Sequence, residues 1–140
     1  MKECILTIDL GTSGPKVALV SIAGEVLGWD ISDTKLILLN DGGVEQDAND
    51  WWSKICTTSR KLLSRKELPA YKIIAVAATS QWSCVVPVNQ SGRPLSNAIS
   101  WLDTRGADAT QRLFEGLIKI DGYEIFKLLR WLKLATGMPG

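Results

Sequence analysis

The stretch Ile8-Asp9-Leu10-Gly11-Thr12-Ser13-Gly14-Pro15-Lys16 separates two apolar runs, at 4–8 and 17–22, and organises the amino-terminal part of the chain. Alternation of side chains in the first run and β-branched residues in the second predict two β-strands joined by a tight turn. Gly11 and Gly14 let the turn backbone approach an anion closely, because glycine has no Cβ and tolerates a positive φ. The segment therefore predicts a hairpin whose turn can hold a phosphate group.

The polar side chains of this hairpin suit the same interpretation. Thr12 and Ser13 add hydroxyls, and the turn N–H groups can form an anion-binding nest. Asp9, at the end of the first strand, is placed to hold a hydrated Mg²⁺, which usually takes only one or two protein carboxylates. Lys16 supplies a positive point charge. The segment is not a Walker A loop, since GxxxxGK[ST] is absent, and a purely structural turn with these residues stays open.

The composition is that of an ordinary globular protein. Of the 140 residues, 46% are hydrophobic and 22% are charged, and 16 basic against 15 acidic residues give a net charge of +1. This balance gives no reason to expect nucleic acid or a membrane as a partner. Basic clusters at 60–66 and 127–133 favour solvated helix faces. The longest apolar run, Ile73–Ala78, is far shorter than the about 20 residues that cross a bilayer.

The cysteine and histidine content narrows the class of protein and the kinds of catalytic and metal site that it can contain. Cys4, Cys56 and Cys84 are widely spaced, and the chain has no histidine. An odd number of cysteines without histidine partners predicts a reduced cytoplasmic protein without a structural zinc site. Asp9 interrupts the first apolar run, so the amino terminus does not resemble a secretory signal. The absence of histidine excludes Ser-His-Asp and Cys-His mechanisms within this chain.

Hydrophobic periodicity predicts an α/β protein, treated as one domain. Three antiparallel strands in a meander, a helix and a parallel strand that returns beside the first are typical of a ribonuclease-H-like layer flanked by helices. The run 72–78 has apolar residues at both alternating positions and predicts a strand buried on both faces. The predicted strands are 3–8, 16–22, 26–31 with an extension towards 39, 72–78 and 84–88; the predicted helices are 47–64 and stretches within 107–120 and 123–134.

The helix at 47–64 has the clearest boundaries. Asp47 or Asn49 is the expected N-cap, and Leu68-Pro69 ends the segment. Later in the chain, residues 89–92 predict a turn and residues 135–140 predict a helix stop. One helix face, with side chains at i, i+3, i+4 and i+7 spacing, is expected to pack on the sheet; its members are Trp52, Ile55, Cys56, Ser59, Leu62 and Leu63.

A loop at 79–83 follows the carboxyl end of the central strand, where ligands bind in open α/β sheets. Gln81 can donate and accept hydrogen bonds, Ser83 offers a hydroxyl, and Trp82 presents a flat face with one N–H. The chain has six tryptophans, so a core or hinge role for Trp82 stays open. The loop predicts a binding surface for a small polar ligand.

The segment Trp101-Leu102-Asp103-Thr104-Arg105 is the third candidate. Asp103 and Arg105 can accept and donate hydrogen bonds to a polyhydroxylated ligand. Alternatively, Asp103 or Thr104 caps the helix that follows.

Four segments together resemble the amino-terminal part of the FGGY family of carbohydrate kinases, in the actin-like, hexokinase and Hsp70 superfamily. The resemblance covers the whole chain and implies an actin-like ATPase fold. It also implies ATP-dependent phosphorylation of a hydroxyl on a sugar or polyol, a class that in this family includes pentuloses, hexoses, gluconate and polyols. The segments are DLGTSGPK at 9–16, EQDANDWW at 45–52, ATSQW at 78–82 and GRPLSNAISWLDTR at 92–105.

The resemblance also implies roles for single residues. Asp9 is expected to position Mg²⁺ and the transferring phosphate. ATP and Mg²⁺ are the implied cofactors, a small sugar or polyol is the implied substrate, and a homodimer is left open. The residues expected at the nucleotide phosphates are Gly11, Thr12, Ser13, Gly14 and Lys16; those expected to line the sugar site are Gln81, Trp82, Ser83, Asp103 and Arg105.

The chain departs from the family in two ways. Family members are several hundred residues long, with a catalytic aspartate base and an adenosine-binding second domain downstream of position 140. Residues 1–140 are therefore expected to be the amino-terminal part of the first kinase domain, without the catalytic base and inactive alone. Trp82-Ser83 replaces the Met-His that xylulose-phosphorylating relatives commonly carry, which argues against D-xylulose as the substrate. A non-catalytic actin-like interaction module and an ATPase or filament subunit stay open as alternatives.

Overall fold

The computed structural model describes residues 1–116, 118–120 and 123–134. The chain divides into two compact units, the first at Met1–Asp103 and the second from Thr104 onward. The elements of the first unit are β1 (Lys2–Gly11), β2 (Gly14–Ser21), β3 (Val26–Ile31), β4 (Ile37–Leu38), β5 (Val44–Gln46), α1 (Ala48–Leu63), β6 (Tyr71–Ser80) and β7 (Ala98–Ile99). Those of the second unit are α2 (Ala107–Phe114), β8 (Lys119–Ile120), β9 (Tyr123–Glu124) and α3 (Ile125–Leu134).

A four-stranded sheet with the order β3-β2-β1-β6 forms the centre of the first unit. β1 pairs antiparallel with β2, β2 pairs antiparallel with β3, and β1 pairs parallel with β6. This arrangement confirms the predicted meander and the strand that returns beside the first. A second antiparallel sheet, β4-β5-β7, was not predicted.

The core of the first unit lies between α1 and one face of this sheet. Alternate residues of β1 and β2 point to the same side, because successive side chains of a strand face opposite directions. From those strands Cys4, Leu6, Val17 and Leu19 pack with Leu62 of α1, and all five are buried. This packing fixes β1 and β2 against α1.

A buried charge fastens α1 to β3. The Asp30 carboxylate is 7% exposed, lies 2.7 Å from Arg65 Nη2 and 3.1 Å from Lys61 Nζ, and accepts a hydrogen bond from the Ile31 N–H. Burial acts to raise the pKa of Asp30, but the Ile31 N–H and the two basic side chains outweigh it and hold that pKa below its ordinary value. The ionised carboxylate is therefore the form that the fold favours.

The N-cap of α1 agrees with the sequence prediction, whereas its packing face differs from it. Asp47 Oδ1 accepts a hydrogen bond from the Asn49 N–H at 2.8 Å, which confirms Asp47 as the N-cap. The predicted packing face is wrong at Trp52, whose surface is 69% exposed, whereas Trp51 and Leu62 are buried. The buried stripe passes through positions 51, 58 and 62, so the face is rotated relative to the predicted one.

β6 lies at the edge of the sheet, with β1 as its neighbour. Ile74 is 48% exposed and Val76 is 62% exposed, so the prediction of burial on both faces is wrong. An apolar strand can face either a covering layer or solvent, and composition alone does not distinguish the two cases.

Two smaller strand predictions also fail. The third strand ends at Ile31 and does not continue towards position 39. Residues 84–88 form two isolated bridges, Val85 with Ile99 and Val88 with Pro94, in place of a strand. The predicted turn at 89–92 is confirmed, with the Gly92 N–H donating to the Asn89 carbonyl at 2.9 Å.

The second unit contains two helices and a short ladder. α2 and α3 lie inside the predicted helical stretches, whereas the antiparallel pairing of β8 with β9 was not predicted. The helix stop predicted at 135–140 lies outside the described residues. Within the described ranges, no helix combines the length and the apolar character needed to span a bilayer.

Candidate functional site

The turn between β1 and β2 consists of Thr12 and Ser13, because Gly11 and Gly14 are register partners across the two strands. Gly14 has a φ of +134°, and a Cβ at this position would lie 2.0 Å from the backbone oxygen of Ser32. Packing against the segment after β3 therefore explains the glycine at position 14. Its contact with a phosphate stays a prediction.

Asp9 and Lys16 form an ion pair beside this turn. The two residues are register partners, and Lys16 Nζ lies 3.1 Å from Asp9 Oδ2. The side chain of Lys16 is 51% exposed and that of Asp9 is 46% exposed. Gly11 leaves room for the ammonium group, since a Cβ there would approach Lys16 Nζ to 3.0 Å. The pair borders an open groove of about 440 Å³, also lined by Thr7, Ala18, Trp29, Ala77 and Thr79. Asp9 and Lys16 thus line a concavity that is open to solvent, whereas Thr12 and Ser13 line a separate one together with Asp33, Thr34 and Leu36.

The donor set at this groove fits one kind of metal ion. In the part of the chain that the structure describes, no three His, Cys, Asp or Glu side chains cluster as a metal cage. Mg²⁺ keeps several waters and is commonly bound through one or two carboxylates and the phosphates of a substrate. Binding of Mg²⁺ by the single carboxylate of Asp9 stays a prediction.

Three side chains hold the turn at Thr12. The Trp101 Nε1–H donates to Thr12 Oγ1 at 3.0 Å. Gln46 Nε2 donates to the Thr12 carbonyl at 2.9 Å, and the Thr34 hydroxyl donates to the same carbonyl at 3.4 Å. The segments that follow β3 and β7 and the last residue of β5 therefore converge on one residue of the turn.

The loop after β6 reaches the same neighbourhood. Gln81 Nε2 donates to Gln46 Oε1 at 2.9 Å, and the Gln81 N–H donates to the Leu10 carbonyl at 2.8 Å. Trp82 is 85% exposed, which rules out the core role that its sequence left open. Ser83 has a φ of 51°, the single positive φ of a non-glycine residue within the described ranges. The structure thus brings Gln81 to the hairpin and leaves the Trp82 ring facing solvent.

Asp103 and Arg105 lie in different units. Asp103 Oδ2 accepts a hydrogen bond from the Val44 N–H at 2.9 Å, so this carboxylate helps to hold β5. The N-cap of α2 is Gly106, without a side-chain hydrogen bond, and the alternative in which Asp103 or Thr104 caps this helix is therefore wrong. Arg105 is exposed and belongs to the second unit. Sugar binding by Asp103 and Arg105 stays a prediction.

Sequence reasoning missed Gln46. This residue is 1% exposed, and its side-chain amide contacts the turn and the loop after β6. It lies in the segment 45–52, where a glutamine flanked by two acidic residues is typical of a solvated approach to a helix. The sequence carried no local signal for this role, because the contacts of Gln46 lie 34 and 35 residues away and its strand has only three residues.

The chain is similar in sequence to known proteins. The model of the FGGY family of carbohydrate kinases, N-terminal domain, matches residues 4–134. The glycerol kinase of Halalkalibacterium halodurans is 33% identical over 113 residues, which cover 80% of this chain and 23% of that protein. The xylulose kinase of Staphylococcus epidermidis is 35% identical over 107 residues, which cover 76% of this chain and 22% of that protein.

The fold recurs in solved structures. The crystal structure of Plasmodium falciparum glycerol kinase with ADP matches with a TM-score of 0.67 and 20% identity, over 94% of this chain and 29% of that chain. The chain spans about a quarter of the length of the curated relatives that it matches.

Proposed function

The chain belongs to the FGGY family of carbohydrate kinases, and from this membership we propose that its hairpin and strand-end loop serve the ATP-dependent phosphorylation of a sugar or polyol hydroxyl. The observation that carries the proposal is the convergence at Thr12. Trp101 and Gln46 bond this residue directly, and Gln81 reaches it through Gln46. The residues that we propose bind phosphate and those that we propose bind the sugar are therefore connected by one network of hydrogen bonds.

The phosphate side of the site is the hairpin. Phosphoryl transfer depends on charge neutralisation and in-line positioning more than on covalent chemistry by the protein. The Lys16 ammonium group is about half exposed and can pair with phosphate oxygens, while the Thr12 and Ser13 N–H and hydroxyl groups can donate to them. Asp9 is the proposed ligand of Mg²⁺, an ion that neutralises charge on the terminal phosphates when it is bound.

The sugar side of the site is the loop after β6. The exposed Trp82 ring offers an apolar face to the carbon skeleton of a polyol, and Gln81 and Ser83 offer polar groups to its hydroxyls. The glycerol kinase and xylulose kinase relatives support a polyol or a ketose as the substrate class.

The transfer itself requires a base. In the proposed reaction a substrate hydroxyl oxygen forms a bond to the γ-phosphorus of ATP, the bond from that phosphorus to the bridging oxygen breaks, and ADP leaves. The hydroxyl proton passes to a general base. We assign Asp103 a holding role and not that of the base, because its Oδ2 accepts the Val44 N–H and so helps to hold β5. We therefore propose that residues 1–140 bind ligands without turnover.

Calorimetric titration of the 140-residue chain tests this function. The titrants are MgATP, ATP with EDTA, glycerol, D-xylulose and D-gluconate, and a coupled assay follows ADP release. We expect MgATP to bind more tightly than metal-free ATP, at least one polyol to bind, and ADP release to stay at background. Absence of binding by all the titrants contradicts the proposed site, and polyol-stimulated ADP release contradicts the proposed inactivity.

One observation favours a second candidate function, an actin-like interaction module. Several apolar side chains of α3 are exposed, among them Phe126 at 70% and Leu129 at 57%. A helix with such a face can serve as a contact surface for another protein. Native mass spectrometry distinguishes the two functions, because a module that lacks ligand binding yet forms a defined complex supports the interaction role.

A further inference from the structure

The side chain of Gln46 links the two halves of the proposed site. Its Nε2 group donates to the Thr12 carbonyl at 2.9 Å and to Thr34 Oγ1 at 3.0 Å, and its Oε1 accepts from Gln81 Nε2 at 2.9 Å. Both N–H groups and the carbonyl oxygen of the amide are thus engaged. At 1% exposure, the residue has no water to replace a lost partner.

The orientation of the Gln46 amide follows from its neighbours. The Thr12 carbonyl can only accept a hydrogen bond, so the NH₂ group of Gln46 must face it. The Thr34 hydroxyl donates its one hydrogen to the same carbonyl and can therefore only accept from Gln46. The turn and the segment after β3 together leave the Gln46 carbonyl oxygen pointing to Gln81.

The orientation of Gln81 follows in turn. Because Gln46 presents an acceptor, Gln81 must present its NH₂ group, and its own Oε1 is directed elsewhere. This oxygen is shielded from solvent and has no hydrogen-bond partner among residues 1–116, 118–120 and 123–134. A buried acceptor without a partner is rare and calls for an explanation. A ligand that satisfies it must bring a donor, and each hydroxyl of a polyol is one.

We propose that Gln46 is a positioning residue that holds the amide of Gln81 in one orientation relative to the Thr12 turn, so that Gln81 Oε1 accepts a hydrogen bond from a polyol hydroxyl. This inference rests on the proposed function. Access of a hydroxyl to this shielded oxygen requires the residues after Gln81 to move aside while the Gln46–Gln81 hydrogen bond is kept. The buried Gln46 amide thereby fixes the position of Gln81 relative to the Thr12 turn.

Two variants of the 140-residue chain separate this role from simple packing. Gln46→Met keeps the length of the side chain and removes all three hydrogen bonds. Gln46→Glu keeps the shape but sets a carboxylate against the Thr12 carbonyl at neutral pH. When the introduced carboxyl is protonated, its O–H can donate to that carbonyl while its other oxygen accepts from Gln81. A positioning role therefore predicts recovery of the Glu variant, and only of that variant, as the pH falls.

Nuclear magnetic resonance supplies the first readout, without any ligand. The exchange rate of the Gln81 side-chain NH₂ protons, relative to wild type at the same pH, is expected to rise at least about tenfold in Gln46→Met and to return towards the wild-type rate in Gln46→Glu at acidic pH. Thr58→Val is the matched control, since it removes a buried hydroxyl pair with Ser32 that does not contact Gln81. Unchanged Gln81 exchange in both Gln46 variants overturns the inference. If Gln46→Met does not fold, the pH dependence of Gln46→Glu decides alone.

Titration with glycerol and with D-xylulose supplies the second readout. We expect the affinity for whichever polyol the wild-type chain binds to fall about tenfold in Gln46→Met, and to recover in Gln46→Glu as the pH falls. Unchanged affinity in both variants overturns the link to the substrate. If the wild-type chain binds neither polyol while Gln81 exchange responds as described, the proposed function fails for this chain, and the positioning of Gln81 by Gln46 is supported.

Discussion

Asp9 and Lys16 face each other across β1 and β2, joined by an ion pair of 3.1 Å at the edge of an open groove. Both side chains keep about half of their surface exposed. An exposed pair of this kind contributes about 0–1 kcal/mol to folding. Ligand binding and stability should therefore respond differently when the pair is broken.

Substitution Lys16→Met is expected to weaken MgATP binding at least about tenfold, because a charge-assisted contact with phosphate is lost. The free energy of unfolding should change by less than about 1 kcal/mol. Lys2→Met is the matched control: Lys2 forms a similarly exposed pair with Glu25 at the other end of β1. Calorimetry and urea unfolding measure both effects. Equal loss of MgATP affinity in the two variants contradicts a specific role for Lys16.

Substitution Asp30→Asn is expected to lower the free energy of unfolding by about 1–3 kcal/mol, because the buried side chain loses the negative charge that pairs with Arg65 and Lys61. Asp33→Asn, at an exposed position three residues later, should have little effect. Urea denaturation followed by circular dichroism gives both values. Equal stabilities of the two variants would show that Asp30 does not anchor α1.

The contribution of Asp30 should also depend on pH. Its pKa in the folded state lies below the ordinary value of 3.8, so the unfolded chain takes up this proton at a higher pH than the folded chain. The stabilisation is then complete above that ordinary value and is lost as the pH falls through the lowered folded pKa. The stability difference between wild type and Asp30→Asn should shrink below about pH 4. A constant difference from pH 7 to pH 3 contradicts this assignment.

Substitution Gly14→Ala is expected to cost at least about 3 kcal/mol, because the new Cβ would lie 2.0 Å from the backbone oxygen of Ser32 and the φ is +134°. Gly24→Ala separates strain from crowding. Gly24 has a φ of +85° with nothing within 4 Å of the added Cβ, so about 1–2 kcal/mol is expected. Thermal unfolding compares the stabilities of the two variants. A larger loss of stability in Gly24→Ala than in Gly14→Ala would show that the backbone at Ser32 moves easily to make room for the new Cβ.

The rotated face of α1 gives a further comparison. Trp51→Ala should lower the free energy of unfolding by about 3–5 kcal/mol, since Trp51 is 9% exposed. Trp52→Ala removes the same side chain from a position that is 69% exposed, and its cost should stay below about 1 kcal/mol. Chemical denaturation of the two variants tests the register of the helix. The reverse order of stabilities would restore the packing face that periodicity predicts.

Local patterns were sufficient for the elements with strong periodicity. The alternation in β1, the glycines of its turn and the N-cap at Asp47 act over a few residues, so the sequence shows them directly. The parallel return of β6 followed from the order of elements. Periodicity could not fix the rotation of α1 to better than one residue, because Trp51 and Trp52 are adjacent and equally apolar.

The remaining features depend on contacts between distant segments. Gln46 joins residues that lie 34 and 35 positions away along the chain, and no local pattern reports such a contact. The short strands β4, β5 and β7 are held by pairing across the first unit, and they contain too few residues to carry a period. The sequence predicted the hairpin and its turn, whereas the groove beside Asp9 was not predicted and includes Trp29 of the neighbouring strand β3.

The open side of β6 has a practical consequence for work with this chain. β6, Tyr71–Ser80, is rich in alanine, isoleucine and valine and forms one edge of the sheet. On its outer side, no strand of the described residues pairs with its backbone N–H and C=O groups. Such a margin can template the addition of an extended peptide from a neighbouring molecule. Concentrated samples should therefore be checked by light scattering for slow oligomer growth, and a lysine introduced at Val76 is the simplest way to suppress it.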